Sequence, residues 1–133
     1  MNSPFRVIGK SFARLDARVI VSGKEVYGTD FAMQGMLHGK LIQSPIASGE
    51  ILSIDIERAM AMPGVYAVVT AKDIPAQRYG SFVKDMEVFA SQRVNFVGQP
   101  VAAVVARTVE EAEEAVRAVD IKYKELPGVF TTE

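Results

Sequence analysis

The chain has 133 residues, 49% of them hydrophobic and 23% charged, with 15 basic and 16 acidic side chains and a net charge of −1. So much apolar content with so little net charge excludes a disordered chain, and the missing basic excess speaks against a dedicated nucleic-acid binder. The longest fully apolar run, Val101 to Ala106, is far short of the roughly 20 residues a membrane-spanning helix needs.

The elements follow in chain order. Residues 1–13 form a lead-in segment without a clear period. Arg18 to Val21 is β-branched and stops at the turn signal Ser22-Gly23, which reads as a short strand. Met36 to Gln43 alternates loosely, with Leu37, Gly39 and Leu41 on one face and Met36, His38, Lys40 and Ile42 on the other. Ser44-Pro45 ends it. Glu50 to Ile56 is a second strand, with Leu52, Ile54 and Ile56 on one face. A short helix spans 56–61, with Asp55 as its N-cap and Pro63-Gly64 as its stop.

Val65 to Thr70 is apolar on both faces, which predicts a central strand. Residues 71–93 read as a long loop with one turn near Ala71–Ile74. A loop of that length often carries function or a partner surface. Gly98-Gln99-Pro100 is a turn, and Val101 to Arg107 a buried strand. Thr108 and Glu111 have the spacing of a capping box. The helix behind it runs to about Val119, with Val109, Ala112, Ala115, Val116 and Val119 as its apolar stripe and Glu113–Arg117 as an exposed pair. Ile121 and Tyr123 alternate with Lys122 and Lys124 in a closing strand, and 125–133 form a tail. Strands outnumber helices without regular interleaving. That predicts one α+β domain, a mixed sheet with two helices.

The chemical inventory is thin. There is no cysteine, which removes disulfides, thiolate nucleophiles, iron–sulfur ligation and zinc–thiolate sites. His38 is the only histidine, so neither a two-histidine metal site nor a triad with a spare imidazole can be built. Gly35 to Lys40 resembles a phosphate loop only superficially, because its glycine spacing is one residue short and Leu41 stands where Ser or Thr should hold magnesium. Ser81-Phe82-Val83-Lys84 spells a pattern of some acyl-transferring enzymes, without the companion motifs. Asp16, Asp30, Asp55, Asp73 and Asp85 are scattered. Asp55 reads as a cap and Asp73 as a turn residue. Met33, Met36, Met60, Met62 and Met86 fill a core or make a pliable contact surface. No positive segment followed by an apolar one opens the chain at Met1 to Lys10, which makes the cytoplasm the expected compartment.

Several short strings occur in a fixed order: Arg14-x-Asp16; Gly23-Lys24-x-x-Tyr27-x-x-Asp30; Ser44-Pro45-x-Ala47; Ile51-x-Ser53-Ile54-Asp55; Met62-Pro63-Gly64-Val65; Val69-Thr70-x-x-Asp73-Ile74-Pro75; Val97-Gly98-Gln99-Pro100-Val101-Ala102; and Tyr123-x-Glu125-Leu126-Pro127. Together they resemble the α/β hammerhead domain that opens the large subunit of molybdenum hydroxylases, the family of xanthine dehydrogenase, aldehyde oxidase and aerobic carbon monoxide dehydrogenase. The resemblance covers residues 5–133. Ile46-Ala47-Ser48-Gly49 departs from it, where the family often has histidines and alanines.

The resemblance implies a parent oxidoreductase with a molybdenum–pterin cofactor, which hydroxylates a carbon with oxygen taken from water. Its partners would be the remaining molybdenum-binding domain and the iron–sulfur and flavin subunits or domains, with no nucleic acid and no membrane. The family's cofactor loops and catalytic glutamate lie beyond the hammerhead domain. The expectation for this chain is therefore no catalytic, no cofactor-binding and no metal residue, and a scaffold role between domains. The other reading is a stand-alone interaction module that reuses the fold. Tyr79, Phe82, Val83, Met86, Val88 and Phe89 in the 71–93 loop have no strand or helix period. They are the expected contact surface, mobile or covered by a second copy in a homodimer.

Overall fold

The computed structural model describes residues 6–132. Its contacts divide it into two compact units, one up to Gln34 and one from Gly35 onward. Of the lead-in segment 1–13, residues 1–5 lie outside the described residues, as does residue 133 of the tail.

In the first unit, the β-branched run at 18–21 is not a strand. It belongs to a short helix, α1 (Ala17–Val21). Gly23 behind it has a φ of 67°. Its amide donates to the Ile20 carbonyl while the Lys24 amide reaches back to Val19. These two bonds close a helix C-terminus, and glycine takes the left-handed conformation they need without steric cost. The turn signal at Ser22-Gly23 thus ends a helix. Two of the family-like strings are local clasps in this unit. Arg14 donates to both carboxylate oxygens of Asp16, at 2.8 and 2.6 Å. Asp30 accepts from the Tyr27 amide at 3.0 Å in a single turn, Gly28–Asp30.

The second unit holds β1 (His38–Gln43), β2 (Gly49–Asp55), α2 (Glu57–Met60), β3 (Val65–Thr70), β4 (Arg93–Val94), β5 (Pro100–Ala106), α3 (Val109–Ala118) and β6 (Asp120–Glu125). This is the expected α+β class, but the strands do not share one mixed sheet. They form two three-stranded sheets, ordered β1-β5-β3 and β4-β2-β6, and every pairing is antiparallel. The crossover through α3 leaves the first sheet and enters the second, so no parallel β-α-β unit closes within either.

The central strand of the first sheet is β5, not β3. Val101, Ala102, Val104 and Ala106 on β5 have no exposed surface. β3 lies at an edge. Its apolar second face therefore does not come from burial between two strands. The first core comprises Ile42, Ala59, Val68, Ala102, Val104 and Ala115, with α2 and α3 packed on the sheet. The second comprises Ala90, Val94 and Val101, covered by Ile46, Ile51, Ile54, Ile121 and Tyr123. Ile121 packs against both.

The expected face of Leu52, Ile54 and Ile56 is broken. The β2–β6 register slips between Ile51 and Ser53. One extra residue there reverses the alternation. Ile51 and Ile54 consequently face the second core, while Leu52 is 62% exposed. Asp55 is not the N-cap of α2, because the helix starts one residue later than expected and Ile56 takes that position without a side-chain cap; Asp55, the last residue of β2, accepts from the Glu57 amide at 3.0 Å in the turn before the helix.

The capping box of α3 is formed in full. The Thr108 hydroxyl accepts from the Glu111 amide at 3.2 Å, and the Glu111 carboxylate accepts from the Thr108 amide at 3.1 Å. Thr108→Ala should cost about 1 kcal/mol. A urea midpoint unchanged within error would show that another group holds this helix end. Glu113 does not pair with Arg117. The Lys40 ammonium of β1 reaches it at 2.8 Å, because Lys40 lies on the helix-covered side of its strand and extends its charge to the rim.

Candidate interaction surface

The candidate catalytic groups stay apart. His38 sits half-buried at the start of β1, opposite Ala106. Ser81 and Lys84 lie exposed at the tip of a loop pinched by two backbone bonds between Tyr79 and Met86, of 2.9 and 3.1 Å. Gly39 and Lys40 belong to β1, so 35–40 makes no phosphate loop. Asp16, Asp30 and Asp55 serve the local contacts already described. Asp73 accepts from the amide and the hydroxyl of Thr70, both at 2.8 Å. The Thr70 amide, then its hydroxyl, hold the Asp73 carboxyl below the ordinary carboxylate range. Glu87 is lowered in the same way, first by the Ser91 amide. The Lys40 ammonium lowers Glu113. These carboxylates are structural acceptors, not a split acid–base pair. Met33, Met60 and Met86 are exposed, and Met62 packs against the first core.

Two of the family-like strings meet in space. The Ser44 amide donates to the Gln99 carbonyl at 2.9 Å, and Gly98 donates back to Ser44 at 2.8 Å. The Gln99 side chain, almost fully buried, accepts from the Asn95 amide at 2.7 Å. The Arg93 guanidinium donates to Ser48 at 3.1 Å. Residue pattern alone does not mark out Gln99, Ser48 and Arg93 as partners. The one signal it offers is a glutamine set between glycine and proline.

Around this knot lies a cavity of about 330 Å³, with Tyr79, Asp85, Met86, Glu87, Phe96 and Gln99 among its lining residues. A second of about 370 Å³ shares Asn95 and Phe96 with it and adds Arg93 and Phe130. The 71–93 loop is only partly the apolar surface expected of it. Tyr79, Phe82, Val83, Met86 and Val88 are exposed, with Phe82 wholly so. Phe89 is 8% exposed and Ala90 fully buried, because the Ala90 amide binds the Pro100 carbonyl and draws the loop end into the second core.

Tyr123 carries an anomaly of a different kind. Its hydroxyl is buried with no hydrogen-bond partner among the described residues, and desolvation raises its pKa. Tyr123→Phe should be neutral or stabilise by up to about 1 kcal/mol, because an unpaired buried hydroxyl costs free energy. The folded phenol keeps its proton longer than the unfolded one. Stability should therefore be full below about pH 10 and fall above it. Urea titrations at neutral and high pH check both, and a large loss in Tyr123→Phe would reveal a bonded hydroxyl.

Residues 22–127 match the family model described as "Aldehyde oxidase and xanthine dehydrogenase, a/b hammerhead domain". The chain belongs to this family. It is 42% identical over 127 residues to a probable xanthine dehydrogenase subunit of Bacillus subtilis, covering 95% of this chain and 16% of that one. It is 32% identical over 134 residues to the nicotinate dehydrogenase large molybdopterin subunit of Eubacterium barkeri, with 100% and 32% covered. A solved Cu,Mo-CO dehydrogenase superposes with a TM-score of 0.83 at 35% identity, over 90% of this chain and 16% of that one. The chain thus spans a third or less of the length of these relatives.

A molybdenum–pterin group does not fit the described residues by themselves. Such a group brings a phosphate and a metal, which call for clustered amide donors or cations and for metal ligands. The two cavities described above offer instead the carboxylates of Asp85 and Glu87 in one and a single cation, Arg93, in the other. Among the described residues, no three His, Cys, Asp or Glu side chains converge. No helix in them is long and apolar enough to cross a membrane.

Proposed function

We propose that this chain is the scaffold domain of a molybdenum hydroxylase large subunit, which contacts neighbouring domains and does not itself hold the active site. The observation that carries this is the family match over residues 22–127 in a chain that spans only 16% of the Bacillus subtilis relative. The local use of the carboxylates supports it, since each acceptor described above serves a turn, a cap or an ion pair. We extend the domain over the full 133 residues, with no catalytic, cofactor or metal residue assigned. Its partners on this reading are the molybdenum-binding remainder of the subunit and the iron–sulfur and flavin components of the enzyme.

The purified chain should neither retain molybdenum nor oxidise xanthine, aldehydes, nicotinate or carbon monoxide with an artificial electron acceptor. Stoichiometric metal, or turnover above the buffer control, would overturn the assignment.

A further inference from the structure

The first sheet has two apolar faces, and the helices cover one of them. On the covered face, the rows Ile42–Ala102–Thr70 and Lys40–Val104–Val68 lie under α2 and α3. On the other, the rows are Leu41–Ala103–Val69 and Gly39–Val105–Ala67. No charged or hydrogen-bonding side chain stands among these six residues, and none belongs to either core; Val101, next along β5 on this side, is buried in the second core and bounds the open face there. Leu41 is 52% exposed. An edge strand that expected to face water on one side would alternate apolar with polar residues, and β3 does not.

We infer that this outer face is covered by an uncharged apolar layer, helix or sheet, from the part of the molybdenum hydroxylase large subunit outside this domain. The inference rests on the function proposed above and names the surface through which the scaffold works. The size of the face selects this occupant over a second copy. Three strands spaced about 4.8 Å apart and three residues long offer roughly 140 Å². Two copies meeting there would bury roughly 300 Å², well under the approximately 1,200 Å² at which stable interfaces begin. A layer on the same polypeptide bears no cost of association, so a small dry face suffices for it.

The lack of cysteine makes the test clean. Leu41→Cys and Val105→Cys each place a single thiol on the face, and its rate of reaction with a maleimide reports whether the face is open. The probe is the Bacillus subtilis relative with this chain spliced in place of its matched 127 residues, with and without the added thiol, so that domain and remainder stay on one polypeptide. In the chain alone, the thiols should react quickly at every protein concentration. In the spliced protein the added thiol should react roughly tenfold or more slowly, as a covered surface must. A folded spliced protein with an unslowed thiol would overturn this inference and leave the domain assignment standing. Failure of the spliced protein without the thiol to fold would overturn the assignment, and the inference with it. Slow labelling that grows with protein concentration would name a second copy as the occupant, and slow labelling in a strict monomer would show the face closed by the chain itself. Either result defeats the inference.

Discussion

Replacing Gly64 by alanine should destabilise the chain by about 2–4 kcal/mol, one of the larger losses open to a single methyl group here. Gly64 follows Pro63 at the end of α2 with a φ of 80°, a conformation that costs a residue with a side chain about 1–3 kcal/mol. A Cβ built there would also fall on the Glu111 carboxylate. That carboxylate is engaged twice, by the Thr108 amide of the capping box and by the Arg107 guanidinium. The backbone has little room to step aside, because the Arg107 amide donates to the Gly64 carbonyl at 2.9 Å. Glu111 can swing away, at the price of the cap. A urea midpoint measures the total, and a double-mutant cycle separates its parts. In a Glu111→Ala background the Gly64→Ala loss should shrink to the conformational cost alone. Equal losses in both backgrounds would show that the carboxylate is not in the way.

The second large effect is a contrast between neighbours. Val104→Asp should abolish folding of the chain, and Val105→Asp should cost no more than about 1 kcal/mol. Val104 has no exposed surface and faces Ile42, Val68 and Ala115 in the first core. An aspartate there is an unpaired buried charge, which costs several kcal/mol whether it ionises or binds a proton. Val105 is only half-buried and lies on the outer face, where a carboxylate reaches water. Circular dichroism with urea unfolding decides it. A folded Val104→Asp, or an unfolded Val105→Asp, would place the open side of the sheet on the wrong face.

Legibility follows the range of the interaction. The capping box, the Asp73 turn and the strand at 100–106 are readable because a few consecutive residues make each of them. The helix at 17–21 is not, because its β-branched residues favour a strand while the helix-closing bonds that Gly23 permits leave no pattern of their own. The bulge at Leu52 is unreadable, since register depends on a partner strand some seventy residues away. Sequence matches Glu113 to the nearest cation along the helix, whereas β1 brings Lys40 closer in space.

For the candidate surface the division is the same. The residue inventory alone bounds the chemistry: without cysteine and with one histidine, the sequence holds no thiolate nucleophile and no two-histidine site. The ordered strings carry the family. That β3 has two apolar faces is also plain from its residues. Which face is open is not, because the identical alternation is satisfied by a buried central strand or by an edge strand with one side left bare. Only the pairing order β1-β5-β3, with both helices on one side, chose between them. Side-chain periodicity states which residues share a face, and packing between distant elements decides what that face meets.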